Sequence, residues 1–475
     1  MTQPPAPPKD TPVRSTSGPS RNRNGKQPPS HHTFSLLGSA SEMQRDPLGF
    51  LLRTQQAGEV VRLRFLFSPA YLLSHPASIK YVLQEHASNY NKDLVTYTMF
   101  RPFLGQGLLL NDGPSWLQQR RLIQPAFHRQ RLLTYGPLMT GATVAMLKRW
   151  QTSCAEGRPM PMEAEMMQLT LRIVGQALFS LDLASETSAI GAAVTTVLAH
   201  AADYVFHPFP PLSVPTPRNR RMQRAIHELD QLVYRMIAER RARETEREDV
   251  LALLLSAQEE TGQGMTDRQV RDEVMTLLMA GHETTANTLA WTWYLLSSHP
   301  EVEYRLQVEL EKVLGGRLPT VEDLAELKFT RMILEEALRL YPAAPVLSRK
   351  AISADEVQGY PIAANSMIII SPYAMHRHPA FWDEPERFDP ERFTPERAAT
   401  RPAFTYFPFG GGPRVCLGNH FAMMEAQLIL ATVAQRYQVR LLPGHPVEPQ
   451  MVVTLRPRYG LPMIIQAPDR AGSQQ

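Results

Sequence analysis

Ten residues constrain this chain more than any other stretch. From Phe409 to Gly418 it reads Phe-Gly-Gly-Gly-Pro-Arg-Val-Cys-Leu-Gly, and Cys416 is one of only two cysteines in 475 residues. Four glycines and a proline exclude a helix interior or a central strand, so the stretch is a tightly folded loop. Directly behind it, residues 419–430 are good helix formers. Cys416 is therefore expected just before a helix N-terminus, where free N–H groups and the helix dipole favour a thiolate. Glycines on either side let the backbone approach something flat and bulky. A thiolate among N–H donors suits a metal ligand; the plainer alternative is a buried free cysteine in a glycine-rich turn.

The same stretch fits the pattern Phe-x-x-Gly-x-Arg-x-Cys-x-Gly at all of its fixed positions, and so resembles the haem-binding loop of the cytochrome P450 family. The resemblance implies that Cys416 is the axial iron ligand of haem b. It further implies that Phe409, Gly410 and Gly418 flank the cofactor and that Arg414 meets a haem propionate.

Composition sets the outer limits. A hydrophobic share of 43% with 20% charged residues is that of a water-soluble globular protein. No apolar run is long enough to span a membrane, and the N-terminus lacks the apolar core of a secretory signal. Residues 1–30 hold five cations against Asp10, which accounts for the entire formal charge of +4. The rest is balanced, which removes the case for a nucleic-acid binder. Cys154 and Cys416 are read as reduced thiols in a cytoplasmic protein. With eight prolines and no Leu, Ile or aromatic residue, residues 1–30 are expected to be a disordered basic tail. One domain follows, over 31–475.

Along that domain, a short helix is expected over 46–55. Val60–Phe67 alternates as a strand with Ala70–Leu73 as its hairpin partner, and helical spacing returns over 75–85. Residues 89–114 read as a loop. The resemblance makes this region part of a substrate pocket, with Leu108, Leu109 and Leu110 as wall residues. Ser115 is read as the cap of a helix that places Trp116 and Arg120 on one face. In the family such a pair serves a haem propionate. Residues 137–250 read as several helices interrupted by a proline-rich stretch from His207 to Pro217, where the family has a lid.

The longest helix is expected over about 267–297, capped by Thr266. Its middle, Ala280-Gly281-His282-Glu283-Thr284-Thr285, places a glycine, an acid and hydroxyls in an otherwise apolar helix. An internal glycine costs a helix roughly 1 kcal/mol relative to alanine, so Gly281 implies close packing or a local opening. By itself the segment reads equally as a satisfied polar patch. It also matches the family's oxygen-activation motif, which makes Thr284 and Glu283 the catalytic alcohol and acid and sets Ala280 and Gly281 against the cofactor, with Ala280 also in the substrate pocket. A zinc-protease reading of His282-Glu283 fails, because residue 286 is alanine.

Glu336-Ala337-Leu338-Arg339 puts opposite charges on one helix face. It is followed by Pro385-Glu386-Arg387-Phe388-Asp389-Pro390-Glu391-Arg392-Phe393. The resemblance carries a structural lock to Glu336, Arg339 and Arg392. Between them, Pro342 to Arg349 leads from helix to strand, with Ala344 and Val346 as pocket wall and Arg349 as a further propionate partner. Gln438–Leu442 and Met451–Leu455 read as short strands, and the family's turn near Val453 reaches the substrate cavity.

The resemblance covers about residues 40–467. It implies a mainly α-helical P450 fold with a small β-rich lobe, haem lying between the long central helix and the Cys416 loop. The reaction implied is insertion of one oxygen atom of O2 into a hydrophobic small molecule such as a fatty acid or terpenoid. Electrons are expected from a separate ferredoxin or flavodoxin with its NAD(P)H reductase, for which Arg121, Arg129, Arg131 and Lys148 could form a basic docking face. A monomer is expected. The alternatives are a haem-thiolate isomerase, dehydratase or peroxygenase, a non-catalytic haem sensor, and a helical binding module without haem.

Overall fold

The computed structural model describes residues 26–30, 38–65, 68–181, 187–206, 210, 212–242, 249–256 and 265–467. Helices of nine residues or more are α1 (Pro47–Gln55), α2 (Gly113–Ile123), α3 (Gly136–Glu156), α4 (Met162–Phe179), α5 (Thr187–Phe206), α6 (Pro217–Ala242), α7 (Asp267–Ser298), α8 (Pro300–Leu314), α9 (Lys328–Leu340) and α10 (Asn419–Ala434). They enclose one large apolar core, to which α7 contributes residues from Val270 to Leu296. At 1.5 Å per residue α7 is about 48 Å long, and it packs most extensively on α4. It starts where the sequence puts it. Thr266 Oγ1 accepts from Gln269 N–H at 3.3 Å while Gln269 Oε1 accepts from Thr266 N–H at 2.8 Å, which completes a capping box.

The five-stranded sheet forms a lobe with apolar clusters of its own, whereas Met160, Val439, Met463 and Ile465 of the three-stranded sheet belong to the helical core. β1 (Val60–Phe65), β2 (Ser68–Leu73), β3 (Tyr90–Asn91), β5 (Leu347–Ala351) and β8 (Met367–Ile370) make a sheet in the order β1-β2-β8-β5-β3. β1 and β2 are the expected hairpin, while β2 and β8 run parallel with Leu72 opposite Ile369. β5 crosses antiparallel to β8 with Arg349 opposite Ile368. β4 (Met160–Pro161), β12 (Pro462–Gln466) and β9 (Gln438–Leu441) form a second sheet. β6 (Asp355–Val357) pairs with β7 (Tyr360–Ile362), and β10 (Pro449–Met451) with β11 (Leu455–Pro457).

Several local expectations are corrected. The 89–114 segment is not a bare loop: it contains β3 and one-turn helices at Val95–Thr98 and Arg101–Leu104. Ser115 is not a cap, because α2 already begins at Gly113 with Asp112 as its N-cap. Pro114 explains the earlier start, since its fixed φ suits a first helical turn. Met451–Leu455 is not a strand. Residues 452–454 make the turn between β10 and β11, closed by Val452 N–H donating to Thr454 O at 3.0 Å. Of the expected tail, residues 26–30 lie on the β lobe, where Arg62 N–H donates to Pro29 O at 2.8 Å and Ser30 bridges to Arg62. Residues 1–25, 66–67, and His207, Pro208, Phe209 and Pro211 of the proline-rich stretch lie outside the described residues.

Candidate active site

The Cys416 loop is shaped by its glycines. Gly410 and Gly412 take φ of +72° and +66°, a left-handed backbone that other L-residues adopt only with strain. At Gly412 a Cβ would lie 1.8 Å from Leu83 O, so no side chain fits there. The loop closes by Cys416 N–H donating to Phe409 O at 2.9 Å, and α10 follows at Asn419 behind Gly418. Burial pushes the Cys416 thiol up, while the Gly418 N–H and the charge of Arg120 pull it down. The sequence-based expectation of a ready thiolate is thus modified: enclosure outweighs the helix terminus, and a cation at sulfur is what secures the ionised form. Yet Cys416 is exposed.

The same contrast marks α7. Residues 270–279 are all buried, whereas Ala280 is exposed and Gly281 and Thr284 are half-buried. The helix therefore opens a surface at the expected oxygen motif. Gly281 is there for close packing: a Cβ would come within 2.9 Å of Val174 Cγ2 on α4. The Thr284 hydroxyl donates to Ala280 O at 2.6 Å, which leaves its lone pairs free. Glu283 is buried, and burial pushes its carboxyl up against the pull of Thr454 and Arg456.

Cations gather beside the Cys416 loop. Arg414 stacks 4.1 Å from the Trp116 ring, donates to Asn111 O at 2.8 Å and pairs with Asp112. Arg120 sits 5.8 Å over the same ring and donates to Val415 O at 3.0 Å, so the Trp116–Arg120 pair does share one face. Arg349 is buried and donates to Ser348 O at 2.8 Å. Sequence reasoning missed Lys92, which donates to Leu109 O at 2.8 Å. Its ammonium is driven well below the usual lysine range, first by enclosure and then by Arg349 and Arg414. Nothing around a single lysine in a loop could have signalled it; only the fold brings it to the arginines. Asp112 offsets this cluster at Lys92 and Arg414. A flat ligand carrying carboxylates beside a thiol-bound cation fits the donor set.

Glu336, Arg339 and Arg392 come together in the interior. Glu336 and Arg339 are fully buried and doubly bonded, Nε to Oε2 at 2.6 Å and Nη2 to Oε1 at 2.8 Å. Arg392 Nε lies 3.3 Å from Glu336 Oε1. Arg339 also donates to His376 O, Pro385 O and Arg387 O, fastening the segment that precedes the Cys416 loop. The expected wall residues divide. Leu108, Ala344, Val346 and Val453 are half-buried, Leu110 belongs to the helical core, and Leu109 is 42% exposed. Arg121, Arg129 and Lys148 are exposed, and Arg131 is half-buried.

Comparison with known proteins agrees with this geometry. The family profile described as Cytochrome P450 matches residues 28–462. Cyclooctatin synthase of Streptomyces melanosporofaciens is 38% identical over 456 residues, covering 93% of this chain and 98% of that protein. Cyclooctat-9-en-7-ol 5-monooxygenase of the same organism is 36% identical, covering 91% and 94%. Among solved structures, the cytochrome P450DA heme domain superposes with a TM-score of 0.84 at 26% identity, covering 94% of this chain and 98% of that one. The expected helical fold with its small β lobe, the haem-thiolate cofactor and the monooxygenase class are all borne out. No helix among the described residues is long and apolar enough to cross a membrane. The chain belongs to the cytochrome P450 family and is a haem-thiolate monooxygenase.

Proposed function

We propose that the chain oxygenates a terpenoid, with Cys416 as the haem ligand and Glu283 and Thr284 as the proton-handling pair. The observation that carries this reading is that Cys416 on its loop, and Ala280, Gly281 and Thr284 on the otherwise buried α7, are each open to solvent. Haem bound through a thiolate would supply O–O cleavage, because the thiolate pushes electron density towards the iron. Arg120, Arg349, Arg414 and Lys92 would hold the propionates, with Trp116 under the guanidinium of Arg414. Phe409, Gly410 and Gly418 would frame the sulfur. One oxygen atom enters the substrate and the other leaves as water, so protons must arrive on demand. Glu283, whose carboxyl burial pushes up towards the protonated form, would be the donor, and the Thr284 hydroxyl, bonded to Ala280 O, would receive and relay.

The half-buried Leu108, Ala344, Val346 and Val453 supply apolar contacts for a hydrocarbon skeleton. The named activity of cyclooctat-9-en-7-ol 5-monooxygenase supports a terpenoid over a fatty acid. Electrons would come from an acidic ferredoxin or flavodoxin with its NAD(P)H reductase, docking on Arg121, Arg129 and Lys148 in the cytoplasm.

The test is a reduced-plus-carbon-monoxide difference spectrum followed by turnover of a panel of terpene hydrocarbons, terpene alcohols and fatty acids with a surrogate redox chain. A strongly red-shifted Soret band, lost in Cys416→Ala, and a hydroxylated terpenoid product are expected. Thr284→Ala should retain haem but divert oxygen to peroxide. Fatty-acid products alone would overturn the substrate class, and full coupling in Thr284→Ala would overturn its role.

A further inference from the structure

The turn between β10 and β11 brings another side chain to Glu283. Thr454 is buried, and its Oγ1 accepts from Asn287 Nδ2 at 3.0 Å and donates to Glu283 Oε1 at 2.7 Å. Asn287 stands one helical turn beyond Glu283 on α7, so both partners hold the hydroxyl from the same helix. A hydroxyl has one proton, and with the Asn287 amide donating to its oxygen the Thr454 hydroxyl directs that proton to Glu283. Oε1 is thereby fixed as an acceptor, and a proton on the carboxyl must sit on Oε2. Beyond the turn, Arg456 on β11 draws on the Glu283 charge and also lines an open cleft of about 580 Å³ against α1.

We propose that Thr454 is a positioning residue for Glu283, its hydroxyl pinning Oε1 so that Oε2 alone carries and passes the proton. The O–H bond at Oε2 breaks as the proton moves to the site, and water from the cleft beside Arg456 returns a proton to the same oxygen. The hairpin is anchored independently of Thr454, because Trp291 Nε1 donates to Leu455 O at 3.0 Å. Removing the hydroxyl therefore releases the carboxyl without releasing the turn. This inference rests on the reading of Glu283 as the proton donor.

The experiment uses the haem-loaded enzyme and the variants Thr454→Val, Thr454→Ser, Glu283→Gln and the double variant Thr454→Val with Glu283→Gln. Infrared difference spectra report the C=O stretch of the protonated carboxyl, assigned by its loss in Glu283→Gln. Peroxide yield and the solvent isotope effect on O2 uptake are read with a surrogate ferredoxin, its NADPH reductase and farnesol as probe. Thr454→Val should shift the band upwards and raise peroxide yield about threefold with unchanged haem content, and Thr454→Ser should restore both. In the Glu283→Gln background Thr454→Val should add nothing. An unmoved band in Thr454→Val, or an equal further loss in the double variant, overturns the proposal. If Thr454→Val fails to take up haem, Thr454→Ala and Asn287→Ala carry the same readouts, and an unmoved band in both overturns it. Wild-type peroxide yield in Glu283→Gln overturns Glu283 as proton donor, while the band in Thr454→Val still decides the hydrogen bond.

Discussion

Two buried carboxyls show how environment assigns different tasks to one side chain. Glu336 has its burial offset by two bonds from Arg339, a backbone N–H from Asp389 and the charge of Arg392. Removing one partner of such a group strands the other charges in the interior, which is typically worth on the order of 3–5 kcal/mol. Glu336→Ala is therefore expected to lower the melting temperature and to yield little haem-loaded protein, read as Soret absorbance per mole of chain. Normal haem loading would remove the structural role. Glu273 has no such cation. Among the described residues it accepts only from Leu108 N–H at 3.0 Å and its Oε1 has no partner, and burial pushes its carboxyl to about 8. Its folded-state pKa is raised above the unfolded value near 4.3. Between those values the unfolded chain ionises while the folded one does not, so stability falls as pH rises through that window and levels off above about 8. Glu273→Gln keeps an acceptor for Leu108 and should flatten the decline. A chemical-denaturation series from pH 5 to pH 8 would check it, and identical slopes in both proteins would count against the assignment.

At the scale of elements, α7 is organised by what touches each of its turns. Arg271 donates to Phe103 O, Asp272 accepts from Gln106 N–H, and Glu273 accepts from Leu108 N–H. Three consecutive side chains thus fasten the 103–108 segment that the sequence leaves as a loop. That is why the short helix at Arg101–Leu104 was illegible: it is held by α7 and not by local periodicity. The opposite holds for α7 itself, whose length, cap and polar middle are all written in its own residues. The Glu336–Arg339 pair was legible because both members lie on one helix face. Lys92 and Thr454 were not, because their partners are far away in the chain. Gly281 tests the α7–α4 contact. Alanine would gain about 1 kcal/mol of helix propensity, but its Cβ would press at 2.9 Å on Val174 Cγ2, a stiff β-branched side chain. Gly281→Ala should be net destabilising, and Val174→Ala in the same chain should relieve the added strain, giving a favourable coupling in a double-mutant cycle of thermal stability. Additive effects would mean that the two residues do not press on each other.

For the whole molecule, charge is distributed by purpose. The arginines and Lys92 beside the Cys416 loop are partly or wholly enclosed and are matched by few acids, which suits a bound dianion. Arg121 and Arg129 stand outward, at the end of α2 and just beyond it, while Arg120 reaches inward from the same helix to the carbonyl of Val415. One short helix therefore connects the outer basic surface to the residue preceding Cys416, and a partner docked there would deliver electrons on the sulfur side of the site. Exposed charges of this kind act mainly on association rate and are screened by salt. Each exposed pair contributes roughly 0.2–1 kcal/mol, so Arg121→Glu with Arg129→Glu should raise the KM for an acidic ferredoxin by about tenfold at low ionic strength, since reversal adds repulsion to the lost attraction. The difference should shrink as salt is added, and the carbon monoxide spectrum after chemical reduction should be unchanged. An unchanged KM at low salt would place the docking face elsewhere on the molecule.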